Sequence, residues 1–253
     1  MGYDEMKFTY EAYRNLIALL RECGYTICDY HNYTQADRSV IIRHDIDLQI
    51  EKAVKMAEIE YDMNVSSTYF VLVCSNFFNI FSKRNQAYLK EICAMGHAVG
   101  LHFDEVKYEG SHTDLVQAME QEAALLEQCL GCEVRSLSMH RPSKATLEAD
   151  YRIAGGRIVN SYSTEFFHNH KYVTDSRRNW REDVIGIIKS GEYDRLHVLT
   201  HPFWYDEKEQ SAADELKRFC TGRAEQCYDD LSDNMRNLEE FLGKEDIWQI
   251  SDR

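Results

Sequence analysis

The sequence predicts an α/β fold built on a parallel sheet. Three observations predict it. Helical and extended hydrophobic patterns alternate along almost all of the 253 residues. The extended stretches, about seven of them, are separated by helices, the order of a parallel sheet. Metal-type and acid–base residues stand at the C-terminal ends of several of these stretches, where parallel folds build their sites. No Gly/Ser linker, low-complexity tract or repeat interrupts the alternation, so residues 1–253 read as a single domain. Periodicity alone leaves an open doubly wound sheet and a barrel as alternatives.

From Thr9 to Cys23 the apolar residues Tyr13, Leu16, Ile17 and Leu20 share one helical face, and Gly24 is a stop. Residues 39–44 read as a buried strand, and 48–61 return to helical spacing through Ile50, Ala53, Val54 and Ala57. Residues 67–73, "STYFVLV", are β-branched and aromatic, hence a strand. Residues 83–95 read as helix and 97–103 as strand. A long helix follows over 113–130, with Ser111 or Thr113 at its cap. Then come a strand at 133–140, a helix at 144–151, strands at 157–163 and 171–176, a last strand at 194–201, and a last helix at 211–242.

The net charge of −14 excludes a general nucleic-acid binder, because phosphate affinity needs clustered Lys and Arg. The 44% of hydrophobic residues suffices for a sizeable core. No stretch is long and apolar enough to span a bilayer. The opening "MGYDEMKFTYEAY" has no apolar leader core, and Gly2 lacks the Ser or Thr context of myristoylation, which together predict a cytoplasmic location. The eight Cys are scattered, as befits thiols in a reducing compartment. Cys129 and Cys132 form a lone C-x-x-C around Gly131, read as a helix end and not a zinc site.

The chemistry concentrates in five short stretches. In "RHDID", Asp45 and Asp47 are two apart and share one side of a strand. Paired carboxylates repel unless a cation intervenes; a divalent metal would leave one as ligand and the other as base toward water. Asp47 also precedes a helix and can cap it. In "GHAVGLHFD", His97 and His102 face opposite sides of a straight strand, so His102 is taken for the site and His97 as structural. "HRPS" carries His140 and Arg141, and "LTHPF" carries His201. The only two prolines, Pro142 and Pro202, follow Arg141 and His201 and stiffen the backbone there. "DSRRNW" supplies Asp175, a partner for Arg141, and Trp180, a wall for a sugar ring. Arg177, Arg178, His168 and His170 read as exposed loop residues.

These five motifs, in this order over about residues 39–205, resemble the polysaccharide deacetylases, the NodB-homology enzymes of carbohydrate esterase family 4, and within them a branch with an Arg-His-Asp-x-Asp first motif. The resemblance implies a distorted (β/α) barrel with one divalent metal, zinc foremost and nickel, cobalt or manganese as alternatives, at the carboxyl ends of its strands. It implies Asp45 as general base, Asp47 and His102 as metal ligands, Arg141 orienting the base, Asp175 supporting Arg141, and His201 as general acid. The family's second motif carries another His four residues after the first; here that place is Val106. His140 stands in for it, giving a triad of Asp47, His102 and His140, with His44 and Asp104 in reserve. Trp180, Tyr69 and Ser143 are the candidate substrate-binding residues, the last through a backbone N–H near the oxyanion.

The implied reaction is hydrolysis of an acetyl group, N-acetyl before O-acetyl, on a sugar. A cytoplasmic enzyme would meet glycan precursors. Two rival readings stand beside it: a glycosyltransferase using Asp45-Ile46-Asp47 to hold a metal–diphosphate, and a non-catalytic sugar-binding relative.

Overall fold

The computed structural model describes residues 6–248. The N-terminal stretch read above for a leader or an acyl site lies, in residues 1–5, outside the described residues. The chain forms two compact units, residues 1–209 and 210–253. All five motifs lie in the first.

The first unit is built on eight parallel strands: β1 (Thr26–Cys28), β2 (Ser39–Ile46), β3 (Thr68–Leu72), β4 (Ala98–Phe103), β5 (Ser136–Met139), β6 (Val159–Asn160), β7 (Lys171–Thr174) and β8 (Arg195–Thr200). Their order is β6-β5-β4-β3-β2-β8-β7, with β1 paired to β2, and every pairing is parallel. The helices of this unit are α1 (Tyr10–Glu22), α2 (Ile50–Asp62), α3 (Lys83–Ala94), α4 (Leu115–Leu130), α5 (Lys144–Ala149), α6 (Thr164–Phe167) and α7 (Val184–Ser190). The second unit holds α8 (Ala212–Asn234) and two short 3₁₀ turns.

Side-chain contacts demonstrate that the sheet curls. β2 and β6 are four strand steps apart, about 19 Å if the sheet were flat. Yet Arg43 of β2 donates to the hydroxyl of Ser161, the residue after β6, at 2.5 Å. The sheet therefore closes on itself into a partial barrel, and alternate residues of each strand point into its lumen.

β2 displays this alternation. Val40, Ile42 and Ile46 face outward into the main core with Tyr13, Leu16, Ile17 and Leu20 of α1. Ile41 faces the lumen with Phe70, Tyr30 and Phe166. Arg43, Asp45 and Asp47 continue the lumen column toward the strand's C-terminal end. Gly100 of β4 makes room for the floor: a Cβ there would stand 2.5 Å from the Phe70 ring and 2.8 Å from the Ser136 carbonyl oxygen.

Three departures from the sequence reading have a visible local cause. The cap of α4 is Asp114, whose side chain accepts from the N–H groups of Val116 and Gln117, not Ser111 or Thr113. The strand expected over 157–163 is reduced to Val159–Asn160, because the Asn160 side chain accepts from the Tyr162 N–H and turns the chain toward α6. The last helix stops at Asn234, where Met235 is extended and Asn237 takes a left-handed conformation with φ 57°. No helix among the described residues is long and apolar enough to cross a membrane.

Candidate metal centre and active site

The mouth of the lumen is assembled from the C-terminal ends of β2, β4, β5, β7 and β8. β4 presents His102 in register with Ser138 of β5. The His140 N–H then donates to the Phe103 carbonyl at 2.8 Å, so the β4–β5 ladder continues past the strand's end and fixes His140 beside His102.

Three donor atoms converge there. Asp47 Oδ1 lies 3.2 Å from His102 Nε2 and 3.2 Å from His140 Nδ1, and the two ring nitrogens are 3.1 Å apart. A tetrahedral zinc ion with nitrogen and oxygen ligands at about 2.0–2.1 Å spaces its donors by about 3.3 Å. The triangle fits a single ion, and its carboxylate and two imidazoles are a donor set that zinc and its neighbours in the first transition row accept. Burial opposes the charge on Asp47, but hydrogen bonds from His102 and His140 outweigh it and hold the carboxyl well below the usual range.

Asp45 sits one step deeper and is 3% exposed. Its Oδ2 accepts from Arg43 Nη2 at 3.1 Å and from Ser138 Oγ at 3.4 Å. Its Oδ1 is buried and has no hydrogen-bond partner among the described residues. Across the mouth, His201 follows β8. Its Nδ1 lies 2.6 Å from Asp175 Oδ1, and its backbone N–H donates to Asp175 Oδ2 at 3.1 Å. Its Nε2 points back to Asp47 Oδ2, 3.9 Å away. Burial disfavours the imidazolium, but the fully buried Asp175 carboxylate overrides it and lifts the His201 pKa to about 9.

The structure thus brings Asp45, Asp47, His102, His140, Asp175 and His201 together. Four other readings need correction. Arg141 does not reach Asp45. It lies two residues beyond β5, is 56% exposed, and its fork grips Asp104, with Nε 3.2 Å from Oδ1. Asp175 accordingly supports His201, not Arg141. Ser143 has no free backbone donor: its N–H donates to the Glu105 carboxylate, and its hydroxyl accepts from the Thr146 N–H as the cap of α5. Tyr69 is fully buried on the outer side of β3, opposite to Phe70, where its hydroxyl donates to Glu60 Oε2 at 2.6 Å.

The remaining candidates are placed as follows. Trp180 is half-buried and packs against the core. His44 faces away from the mouth, with Nδ1 2.7 Å from Thr200 Oγ1 and Nε2 3.0 Å from Glu60. His97 lies in the same outer layer, its Nε2 3.0 Å from the Ala57 carbonyl oxygen. His168 is exposed as read, but His170, read as exposed, is buried, with Nδ1 2.8 Å from the Glu165 carbonyl oxygen. Gly131 ends α4 with φ 74°, and Cys129 and Cys132 are free thiols. Sequence reasoning missed Arg43 and Ser138 as neighbours of Asp45. For Arg43 the signal was there: positions 43, 45 and 47 share one face of a strand.

No protein-family model matches the chain, and no curated protein does. Solved structures do resemble it. One is a pseudoenzyme of the CE4 carbohydrate esterase family from Bacillus anthracis, at 16% identity and a TM-score of 0.43 over 75% of this chain and 63% of the other. The chain therefore spans less than two thirds of that protein. A CE4 esterase from Streptococcus mutans gives 15% identity and a TM-score of 0.49, over 68% of this chain and 76% of the other. A polysaccharide deacetylase from Bacillus cereus gives 14% identity and a TM-score of 0.45, over 75% and 88%.

Proposed function

We propose that the chain is a metal-dependent hydrolase that removes an acetyl group, N-acetyl first, from a sugar or glycan precursor. The observation that carries the reading is the composition of the mouth. A three-donor metal triangle, a buried carboxylate with one unpartnered oxygen, and an imidazole backed by a second carboxylate meet at one end of the lumen. The five-motif resemblance supplies the acetyl-sugar substrate class.

Asp47, His102 and His140 would hold the ion. A divalent metal bound there supplies Lewis-acid activation of water and of the acyl oxygen. Asp45 Oδ1, having no other partner, accepts the proton of the attacking water. His201, held protonated and oriented by Asp175, gives its Nε2 proton to the departing amine. A glycosyltransferase reading leaves the His201–Asp175 pair without a task.

The test is acetate release from a panel of N-acetyl and O-acetyl sugars by zinc-loaded protein, with the Asp45→Asn variant beside it. Acetate release that falls about 10²–10⁴-fold in the variant is expected. Nucleoside diphosphate release, sugar binding without turnover, or full activity of Asp45→Asn would each overturn the proposal.

A further inference from the structure

A guanidinium wholly inside a barrel lumen is expensive, and a Met or Leu would fill the same layer at lower cost. Arg43 is such a group: its side chain is 0% exposed. It is clamped from several sides. Its Nη1 donates to Ser161 Oγ, its Nη2 donates to Tyr162 OH at 3.1 Å, and its carbon centre lies 4.8–5.8 Å from the ring centroids of Phe70, Tyr162 and Tyr172. Among the described residues, the one carboxylate it meets is that of Asp45.

Asp45 has a competing attraction. Its Oδ2 lies 3.7 Å from His102 Nε2, one of the three converging donor atoms. A modest swing of this carboxylate would add a fourth donor to the triangle. A carboxylate engaged there is poorly placed to take a proton from water.

We propose that Arg43 is the positioning residue that holds Asp45 back from the metal donors, keeping it a base instead of a fourth ligand. The proposal rests on the reading of Asp45 as base and of Asp47, His102 and His140 as the metal triad. The fixed fork retains Oδ2 at 3.1 Å from Arg43 Nη2 and 3.7 Å from His102 Nε2, while Oδ1 has no hydrogen-bond partner among the described residues. Ser138 Oγ, 3.4 Å from the same Oδ2, adds a second tether.

The test uses the full chain loaded with cobalt(II), whose visible spectrum reports its ligand set. The variants are Arg43→Lys, Arg43→Met and the milder Tyr162→Phe, which loosens one clamp without touching the charge. In Arg43→Met the cobalt spectrum is expected to shift toward a higher coordination number, and Arg43→Met/Asp45→Asn is expected to return it to the wild-type form. Turnover of an acetylated sugar is expected to fall about 10²-fold in Arg43→Lys with KM unchanged. Tyr162→Phe is expected to show a smaller change in the same direction, which decides the matter should the Arg43 variants not fold. A wild-type cobalt spectrum in both Arg43→Met and Tyr162→Phe would overturn the proposal. Cobalt spectra that behave as expected without acetate release from any sugar would sustain Arg43's role and overturn the proposed reaction. Failure of the wild type to bind cobalt would overturn both.

Discussion

Glu60 offers the sharpest test of the packing behind the site. Its carboxylate is wholly buried between β2, β3 and α1, and four donors close around it: Tyr13 OH at 2.5 Å, Ser67 Oγ at 2.6 Å, Tyr69 OH at 2.6 Å and His44 Nε2 at 3.0 Å. Burial alone would raise its pKa. The charge and hydrogen bond of His44, then His97 and the Ser67 hydroxyl, outweigh burial and bring it down to about 2 from the ordinary 4.5. A depressed carboxyl stabilises the folded state fully above its unfolded pKa. That stability is lost as pH falls from about 4.5 through about 2, where the unfolded chain takes up its proton first. A fall from 4.5 to about 2 corresponds to about 3 kcal/mol. Urea unfolding of wild type and Glu60→Gln, repeated from neutral to acid pH, isolates this contribution from the other 42 Asp and Glu among the 43 in the chain. Wild type is expected to be the more stable at neutral pH, with the gap closing as pH falls below about 4.5. Two parallel curves would refute the assignment of a charged, hydrogen-bonded Glu60.

Three further outcomes are expected. His140→Ala removes one corner of the donor triangle, and elemental analysis after equilibration with zinc should show metal lost or greatly reduced; unchanged occupancy would remove His140 from the site. Asp175→Asn removes the largest influence holding the His201 pKa near 9, so the alkaline limb of the activity profile, where His201 loses its proton, should move toward the ordinary 6.5; an unmoved limb would exclude His201 as the acid. Gly100→Ala drives a methyl group into the Phe70 ring and the Ser136 carbonyl, and thermal unfolding should record a loss of about 1–3 kcal/mol.

The alternating hydrophobic pattern made most of the sheet legible, because burial on both faces forces apolar runs at each strand. α1 was readable to within a residue: Thr9 caps it by accepting from the Ala12 N–H, and the four apolar residues expected on one face are all buried. α7 was not read, although Asp183 caps it, accepting from the Gly186 N–H, and Gly191 ends it at φ 62°. Its apolar run "VIGII" fills both sides of a short helix and has no single face to betray its period. β1, three residues long, is below the length at which alternation can be counted. In the site, motif spacing found the six converging residues, because period two fixes which side of a strand a residue takes. It failed for Arg141 and Ser143, which lie beyond strand ends where loops decide direction, and for Tyr69, which takes the outer side of β3.

The inner face of β2 carries the logic of the whole unit. Reading up the column, Ile41 closes the floor with Phe70, Arg43 brings one positive charge into the dry interior, Asp45 answers it, and Asp47 stands above with two imidazoles. Arg43 and Asp45 stand 3.1 Å apart, each the other's partner out of water. Asp47 meets no guanidinium among the described residues; its neighbours are three imidazoles, those of His102, His140 and, farther off, His201. Without an ion, two imidazole nitrogens and a carboxylate oxygen within 3.2 Å of one another must share protons to avoid lone-pair repulsion. A divalent cation removes that conflict by accepting all three lone pairs. The arrangement is therefore more costly to the fold alone than a column of apolar residues, and its chemistry becomes intelligible once the top of the column is taken as the seat of a metal ion.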